Sequence, residues 1–477
     1  MKYTLSINKA SENFIVLEAI IISSQTQIEL QLPAWRPGRY ELGNFAKNIR
    51  CFSAYSENGQ ALKVRKTTKD CWTIYNIPQN NEIKISYEYY ANQLDAGACF
   101  INQEQVYVNP VHCFMYEVGQ QNNSFEVKLN VPENYTIACQ LPQKGHTLLA
   151  QNFDQLADSP FIASPTLQHH RFALNANTNI HFWFQGKHEL DIGQLEADTL
   201  KYTLVQTAIF NELPCTDYHF LYQMLPNGFR HGVEHADSTV IAMGKGADTL
   251  LAEFYNDLLA ISSHELFHLW NIKRIRPAAM WPYDFTKENY SELGYVYEGV
   301  TTYYGDLMLL RSGVWTWEQY ADSWNGDFLR HIYNPGIYNY SVAESSFDTW
   351  LDGYVPGIPA RKTSIYVEGM LAAMIADLTI IKNSAGKYSL DNVLHDLYHQ
   401  YYKQNKGYTE ADYKTLLEKY GQESFEHYFE NIIWGKGNIV AELQNILPHF
   451  GCYIDNNKLT KTEAAENNPL FNFLLNR

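Results

Sequence analysis

The sequence predicts an α+β chain of several domains, in which a β-sandwich-like N-terminal part precedes a largely helical one. Three observations carry this. The chain has 477 residues, and at about 100–200 residues per domain that length implies two to four domains. Roughly the first 190 residues alternate apolar and polar positions, the period of half-buried strands. From about residue 245 the apolar positions recur at helical spacing instead.

In chain order, Met1-Lys2-Tyr3-Thr4-Leu5-Ser6 alternates like a strand and lacks the apolar run and small-residue cleavage site of a leader. The apolar stretch Phe14 to Ile22 is broken by Glu18 and is too short to span a bilayer. Strands are expected at Ile28-Glu29-Leu30-Gln31-Leu32, Glu82-Ile83-Lys84-Ile85-Ser86-Tyr87, Phe125-Glu126-Val127-Lys128-Leu129 and Ile180-His181-Phe182-Trp183-Phe184. Glu57-Asn58-Gly59 and Pro78-Gln79-Asn80-Asn81 supply turns, and no helical stretch is expected among these strands. Residues 198–242 also read as strand-like. Helical spacing then covers 247–276, 292–311, 366–382 and 390–403. Thr409-Glu410-Ala411-Asp412 opens a further helix with a capping-box pattern that Gly421 closes. Gly244-Lys245-Gly246 reads as a turn, and the polar stretch 455–468 as a poorly ordered end.

Composition narrows the function. Lys and Arg total 36 against 52 Asp and Glu, a net charge of −16. That balance excludes a nucleic-acid binder and a polybasic membrane anchor, both of which need cationic surfaces. At 45% hydrophobic and 18% charged residues the chain can bury substantial cores. The seven cysteines form no C-x-x-C pair and fit reduced thiols, so a cytoplasmic protein without membrane association is expected. Nothing in the sequence fixes an oligomeric state.

One segment carries chemistry: Ser263-His264-Glu265-Leu266-Phe267-His268-Leu269-Trp270. On a helix, His264 and His268 lie one turn apart on one face and can share a Zn²⁺ ion. Glu265 is rotated about 100° from His264, beside the metal's open position, where a carboxylate can accept a proton from water. A metzincin would place Gly and His where Asn271 and Arg274 stand, so that class is excluded. A gluzincin takes a Glu from a second helix. Glu288, Glu292, Glu298 and Glu318 are all in reach, with Glu298 favoured because it precedes Gly299 and the run Thr301-Thr302-Tyr303-Tyr304. A second pair, His395 and His399, has the same spacing but no well-placed third ligand. Lys273, Arg274 and Arg276 read as structural charges at a helix end. There is no G-x-S-x-G, Walker A or G-x-G-x-x-G motif.

At these residues the chain resembles the M61 peptidases, the glycyl aminopeptidase family, gluzincins related to the M1 aminopeptidases. The run from His264 to Pro277 is similar to that family's extended zinc motif, and Glu298-Gly299-Val300-Thr301-Thr302-Tyr303-Tyr304-Gly305-Asp306 to its third-ligand helix. Leu32-Pro33-Ala34-Trp35-Arg36-Pro37-Gly38-Arg39-Tyr40-Glu41-Leu42 resembles the signature of its β domain, so the likeness runs roughly from Tyr3 to Cys452. It implies an N-terminal β domain over 1–190, a thermolysin-like zinc catalytic domain over 191–385 and a C-terminal helical region over 386–477. It also implies one Zn²⁺ per chain on His264, His268 and Glu298, with Glu265 as general base and proton shuttle. Gly232-Val233-Glu234-His235 looks like the family's G-x-E-H segment, which would make Gly232, Glu234 and His235 substrate-binding, with Glu234 on the free α-amine. Tyr366, in Tyr366-Val367-Glu368-Gly369, matches the Y-x-x-G pattern of M1-like enzymes and would donate to the oxyanion. His231 departs from the family, which usually has a second Gly there. The C-terminal PDZ domain of many members is not expected, since the chain ends at Arg477.

The expectation is therefore a zinc aminopeptidase that trims small N-terminal residues such as Gly or Ala from peptides with a free N-terminus. Its rivals are a zinc endopeptidase and a catalytically silent, peptide-binding zincin fold.

Overall fold

The protein is described by a computed structural model covering residues 1–78, 81–245 and 251–477. Gln79 and Asn80 of the second expected turn, Gly246, and positions 247–250 at the head of the expected helical stretch lie outside the described residues. By contacts the chain divides into two units. The first is Met1–Glu189 with Cys215–Leu251 and Asp284–Glu288, and the second is Leu190–Pro214 with Ala252–Tyr283 and Asn289–Arg477.

In the first unit the alternating segments become sheet. Phe14–Ser23 buries Ile15, Leu17, Ala19 and Ile21 and exposes Glu18, Ile20 and Ile22. Glu18 thus marks the solvent face of a strand rather than an interruption. This strand pairs with Lys2–Lys9 and Asn81–Tyr90 inside a seven-stranded sheet. A four-stranded sheet built on Gln27–Gln31 and Cys71–Tyr75 packs face to face with it: Phe52 stacks on Trp72 at 5.2 Å and on Tyr87 at 5.9 Å. A short helix, Phe153–Ala157, stands among the strands where none was expected; Asn152 caps it by accepting from Gln155 N.

A five-stranded sheet follows in the order Gln168–Asn175, Thr178–Gln185, Asp217–Leu225, Ser238–Gly244, Phe229–Glu234. Its three middle strands run parallel, and Phe229–Glu234 is antiparallel at the edge. Trp183, Leu221, Val240 and Ala242 of this sheet share a core with Tyr107, Ala138 and Ile162 of another four-stranded sheet.

Residues 198–210 correct the strand-like reading of 198–242: they belong to the helix Ile192–Phe210. Its buried face repeats every three to four residues, but Asp198, Thr199, Thr203 and Gln206 lie on it. Asp198 accepts from Gln194 at 2.7 Å and from Tyr255 at 3.0 Å, and Gln206 donates to Ser263 O at 3.0 Å. A buried face made half of polar groups hides its period from an apolar reading.

The second unit is built on the helix Val367–Asn383, mostly apolar and buried along nearly its whole length. Helices Thr301–Arg311, Glu410–Gly421 and Ile439–Ile446 pack against it. Thr409 and Asp412 form the expected capping box, and Gln422, at φ 56°, caps the other end of that helix. The stretch 455–468 is ordered, contrary to expectation. Cys452–Asp455 and Lys458–Lys461 pair as a hairpin, and Leu459 and Ala465 are buried. Two apolar anchors in a polar stretch are too sparse to show a period. All seven cysteines are free thiols, five of them buried. No helix among the described residues is long and apolar enough to cross a membrane.

Candidate metal centre

His264 and Glu265 lie in the last turn of the helix Ala252–Phe267. The helix ends there and not at residue 276, and His268 N makes the closing bond to His264 O at 3.3 Å. Asn271 explains the break. Its carbonyl faces His268 Nδ1 at 2.8 Å, and its side-chain amide donates to Val296 O and Thr301 Oγ1, both at 3.0 Å. Ile272 then takes φ 110°, outside helical geometry for a β-branched residue. The carbonyl fixes a proton on Nδ1, leaving His268 Nε2 as a ligand atom. Sequence reading missed Asn271, because its identity carries no signal without the segment it ties down. Lys273 and Arg274 are only 5% and 7% exposed. Arg274 donates to Leu269 O at 3.2 Å and Arg276 to Lys273 O at 3.3 Å, so the two guanidinium groups satisfy carbonyls that the broken helix releases.

Glu298 sits in a π-helical turn, Tyr295–Val300, that runs into Thr301–Arg311. Of the four candidate glutamates it alone is buried; Glu292 and Glu318 are exposed and Glu288 half-buried. His264 Nε2 lies 3.0 Å from His268 Nε2, and Glu298 Oε2 lies 3.3 Å from His268 Nε2 and 4.0 Å from His264 Nε2. Ligands at about 2.0–2.1 Å around a tetrahedral ion stand roughly 3.3 Å apart. The three separations, 3.0 to 4.0 Å, bracket that spacing, and the chemistry of two imidazoles and a carboxylate fits zinc.

Glycines permit the approach. A Cβ on Gly305 would stand 3.1 Å from His264 Cα, and one on Gly299 would stand 2.4 Å from Gly369 Cα. Ser263 Oγ donates to Gly305 O at 2.6 Å and fastens the two ligand-bearing segments together.

Tyr366 precedes the helix Val367–Asn383 as its cap residue and is half-buried. The turn before it is clamped: Ser364 Oγ accepts from Val367 N at 3.3 Å, and Thr363 Oγ1 donates to the Glu368 carboxylate. His331 Nδ1 is 3.7 Å from the same carboxylate. Burial pushes the Glu368 carboxyl up to about 7, with the Thr363 bond opposing it. Between the ordinary carboxyl range and pH 7 the folded chain holds a proton there that the unfolded chain has lost. The contribution is therefore least unfavourable at acid pH and costs about 3 kcal/mol above pH 7. Glu368→Gln is expected to raise stability at pH 8 by about 1–3 kcal/mol and to do little at pH 4.5. Urea unfolding of both proteins at the two pH values checks this, and an equal effect at both would contradict the linkage.

In the first unit, Glu234 ends the edge strand and is buried, at 4% exposure. Its Oε1 has no hydrogen-bond partner among the described residues. Gly38, at φ 78°, passes so close that a Cβ there would lie 2.6 Å from Glu234 Oε2. The turn after Trp35 is thus shaped around this carboxylate. Gly232, in the same strand as Glu234, pairs with Ile241 of the neighbouring strand Ser238–Gly244. His235 is buried with Nδ1 3.0 Å from Asp158 Oδ1, which fixes the turn after Glu234. Burial, reinforced by Arg36, lowers the His231 imidazole to about 4, so it is neutral at pH 7. The pair His395 and His399 contacts Asn211 Nδ2 at 3.1 Å and Phe210 O at 3.2 Å instead, and it joins no three-donor cluster among the described residues.

Residues 2–165 match the family described as Peptidase M61 N-terminal domain, and residues 257–372 the family described as M61 glycyl aminopeptidase. The fold resembles the crystal structure of an aminopeptidase N family protein from Idiomarina loihiensis at 28% identity and TM-score 0.89, over 96% of this chain and 80% of that one. It also resembles an M1 zinc metallopeptidase from Deinococcus radiodurans at 15% identity and TM-score 0.57, over 92% and 94% of the two chains. A variant of that enzyme with a bound Tyr-Ser-Ala substrate aligns at 14% identity and TM-score 0.55, over 88% and 91%. Among curated proteins no sequence matches.

Proposed function

The chain belongs to the M61 peptidases, gluzincins related to the M1 aminopeptidases, and from that premise we propose that it is a zinc aminopeptidase that removes the first residue of peptides. Metal-dependent peptidase activity follows from the family together with the His264, His268 and Glu298 cluster, the observation that carries the reading. Zinc on these three residues would supply a Lewis acid for the scissile carbonyl. Glu265, next to His264 on the helix, takes the proton of the attacking water and passes it to the leaving amine. The Tyr366 hydroxyl donates to the oxygen on which negative charge develops. Small N-terminal residues, Gly and Ala, are the preferred substrates by family likeness.

Restriction to the N-terminus is assigned to Glu234. A carboxylate this buried, with one oxygen lacking a partner, suits a substrate ammonium, which would complete a charge-assisted pair. Gly232 and His235 flank it, and an edge strand of this kind can pair with an extended peptide backbone.

The test compares peptides with free and acetylated N-termini. Acetylation is expected to lower kcat/KM by about 10–100-fold, the worth of a charge-assisted hydrogen bond. Glu234→Gln is expected to erase most of that difference. Equal cleavage of both peptides by the wild type would replace this reading with an endopeptidase.

A further inference from the structure

A polar cavity of about 390 Å³ opens in the first unit, and its walls include Arg36, Arg39, Glu41, Lys47, Asp95 and His112. Arg36 is the unusual member. It is 4% exposed, yet its guanidinium makes one hydrogen bond, Nη1 to Pro37 O at 3.1 Å, and pairs with no carboxylate among the described residues. Both acids in the walls are already engaged. Glu41 accepts from Arg39, while Asp95 accepts from Gly97 N at 2.7 Å and from Gln93 Nε2. Gly97 lies flat on the guanidinium: a Cβ there would stand 2.0 Å from Arg36 Nη2.

His112 repeats the pattern. It is 8% exposed and stacks on Phe45 at 3.9 Å. Burial, with Arg36, Arg39 and Lys47 nearby, holds its imidazole well below the usual range, so it is neutral. Nδ1 faces the Tyr89 hydroxyl at 3.5 Å, and Nε2 has no partner among the described residues. A neutral imidazole that accepts at Nδ1 carries its proton on Nε2, which makes Nε2 a buried donor without an acceptor. A buried cation with a single carbonyl partner and a buried N–H without an acceptor are costly unless something supplies further oxygen atoms.

We propose that this cavity binds a small carboxylate, gripped by Arg36 and His112 with Lys47 at the rim. The planar guanidinium matches a carboxylate in the two-bond geometry. A phosphate dianion is the poorer fit, because Asp95 and Glu41 share the walls. The volume exceeds acetate and admits a free amino acid or dipeptide, whose polar body would meet Asn48, Asn92 and Gln93. The inference rests on these contacts and not on the peptidase reading.

The test is isothermal titration of the full zinc-loaded chain with acetate, glycine, glycylglycine, glycinamide and inorganic phosphate at matched ionic strength. Carboxylates are expected to bind saturably and glycinamide not at all. Arg36→Gln should weaken binding at least about 10-fold, and Lys47→Glu, an exposed change, about 3-fold by reversing the rim charge. Acetate and glycine binding alike points to a free acid as the natural ligand, and preference for glycylglycine to a peptide terminus; either supports the site. If Arg36→Gln does not fold, Lys47→Glu decides. Unchanged affinity in the folded variants, phosphate binding as tightly as acetate, or no saturable binding would overturn the proposal.

Discussion

Glu265→Gln is expected to lower kcat by about 10²–10⁴-fold, the usual worth of a positioned general base, while zinc content stays near one per chain. The two halves have separate causes. Gln keeps the shape of Glu and its place on the helix Ala252–Phe267, where the side chain is buried at 5% exposure. An amide cannot accept the proton that a carboxylate accepts, so the chemical step slows. The ligand atoms, by contrast, come from His264, His268 and Glu298, none of which the substitution touches. Steady-state kinetics with elemental analysis of the same preparation checks both halves. Turnover unchanged at full zinc would remove Glu265 from the mechanism, and loss of zinc would make it part of the metal site.

Gly299→Ala is expected to cost about 3 kcal/mol of stability and to weaken zinc binding with it, although one methyl group is all that is added. Real Cβ atoms do not sit 2.4 Å from another Cα, which is where Gly369 stands. The neighbour cannot yield by a rotamer change, because it is backbone inside Val367–Asn383, itself nearly all buried. The contact is reciprocal: a Cβ on Gly369 would lie 2.8 Å from Gly299 Cα. Overpacking of this kind usually costs 1–3 kcal/mol and more where the backbone must move. Glu298 is the adjacent residue, so the same displacement shifts a metal ligand. Urea unfolding and a competitive zinc titration read the two effects. A neutral result in both would mean that the segments are not held at this distance.

Much of this was legible in the sequence because physical periods write themselves there. Ile28–Leu32, Glu82–Tyr87 and Phe125–Leu129 alternate, and each falls in a strand save Leu32, one residue past the end of Gln27–Gln31, since one face meets a core and the other water. The spacing of His264 and His268 set two donors on one face, and Glu298 was favoured among four glutamates by its neighbours Gly299 and Thr301. What stayed hidden is of another kind. The helix Ile192–Phe210 buries Asp198 and Gln206 against partners distant in sequence, so no local pattern shows it. The break after Phe267 depends on Asn271 reaching Val296 and Thr301, and the place of Glu298 depends on glycines meeting across two helical segments. Contacts between remote segments are consequences of the fold and leave no spacing to read.

The most direct measurement is anomalous diffraction at the zinc edge from crystals of zinc-loaded protein, with elemental analysis of the same sample. The account predicts a single strong peak, at about 2.0–2.2 Å from His264 Nε2, His268 Nε2 and the Glu298 carboxylate, and one zinc per chain. No peak between these residues under zinc-replete conditions, or a peak at His395 and His399 instead, would contradict it.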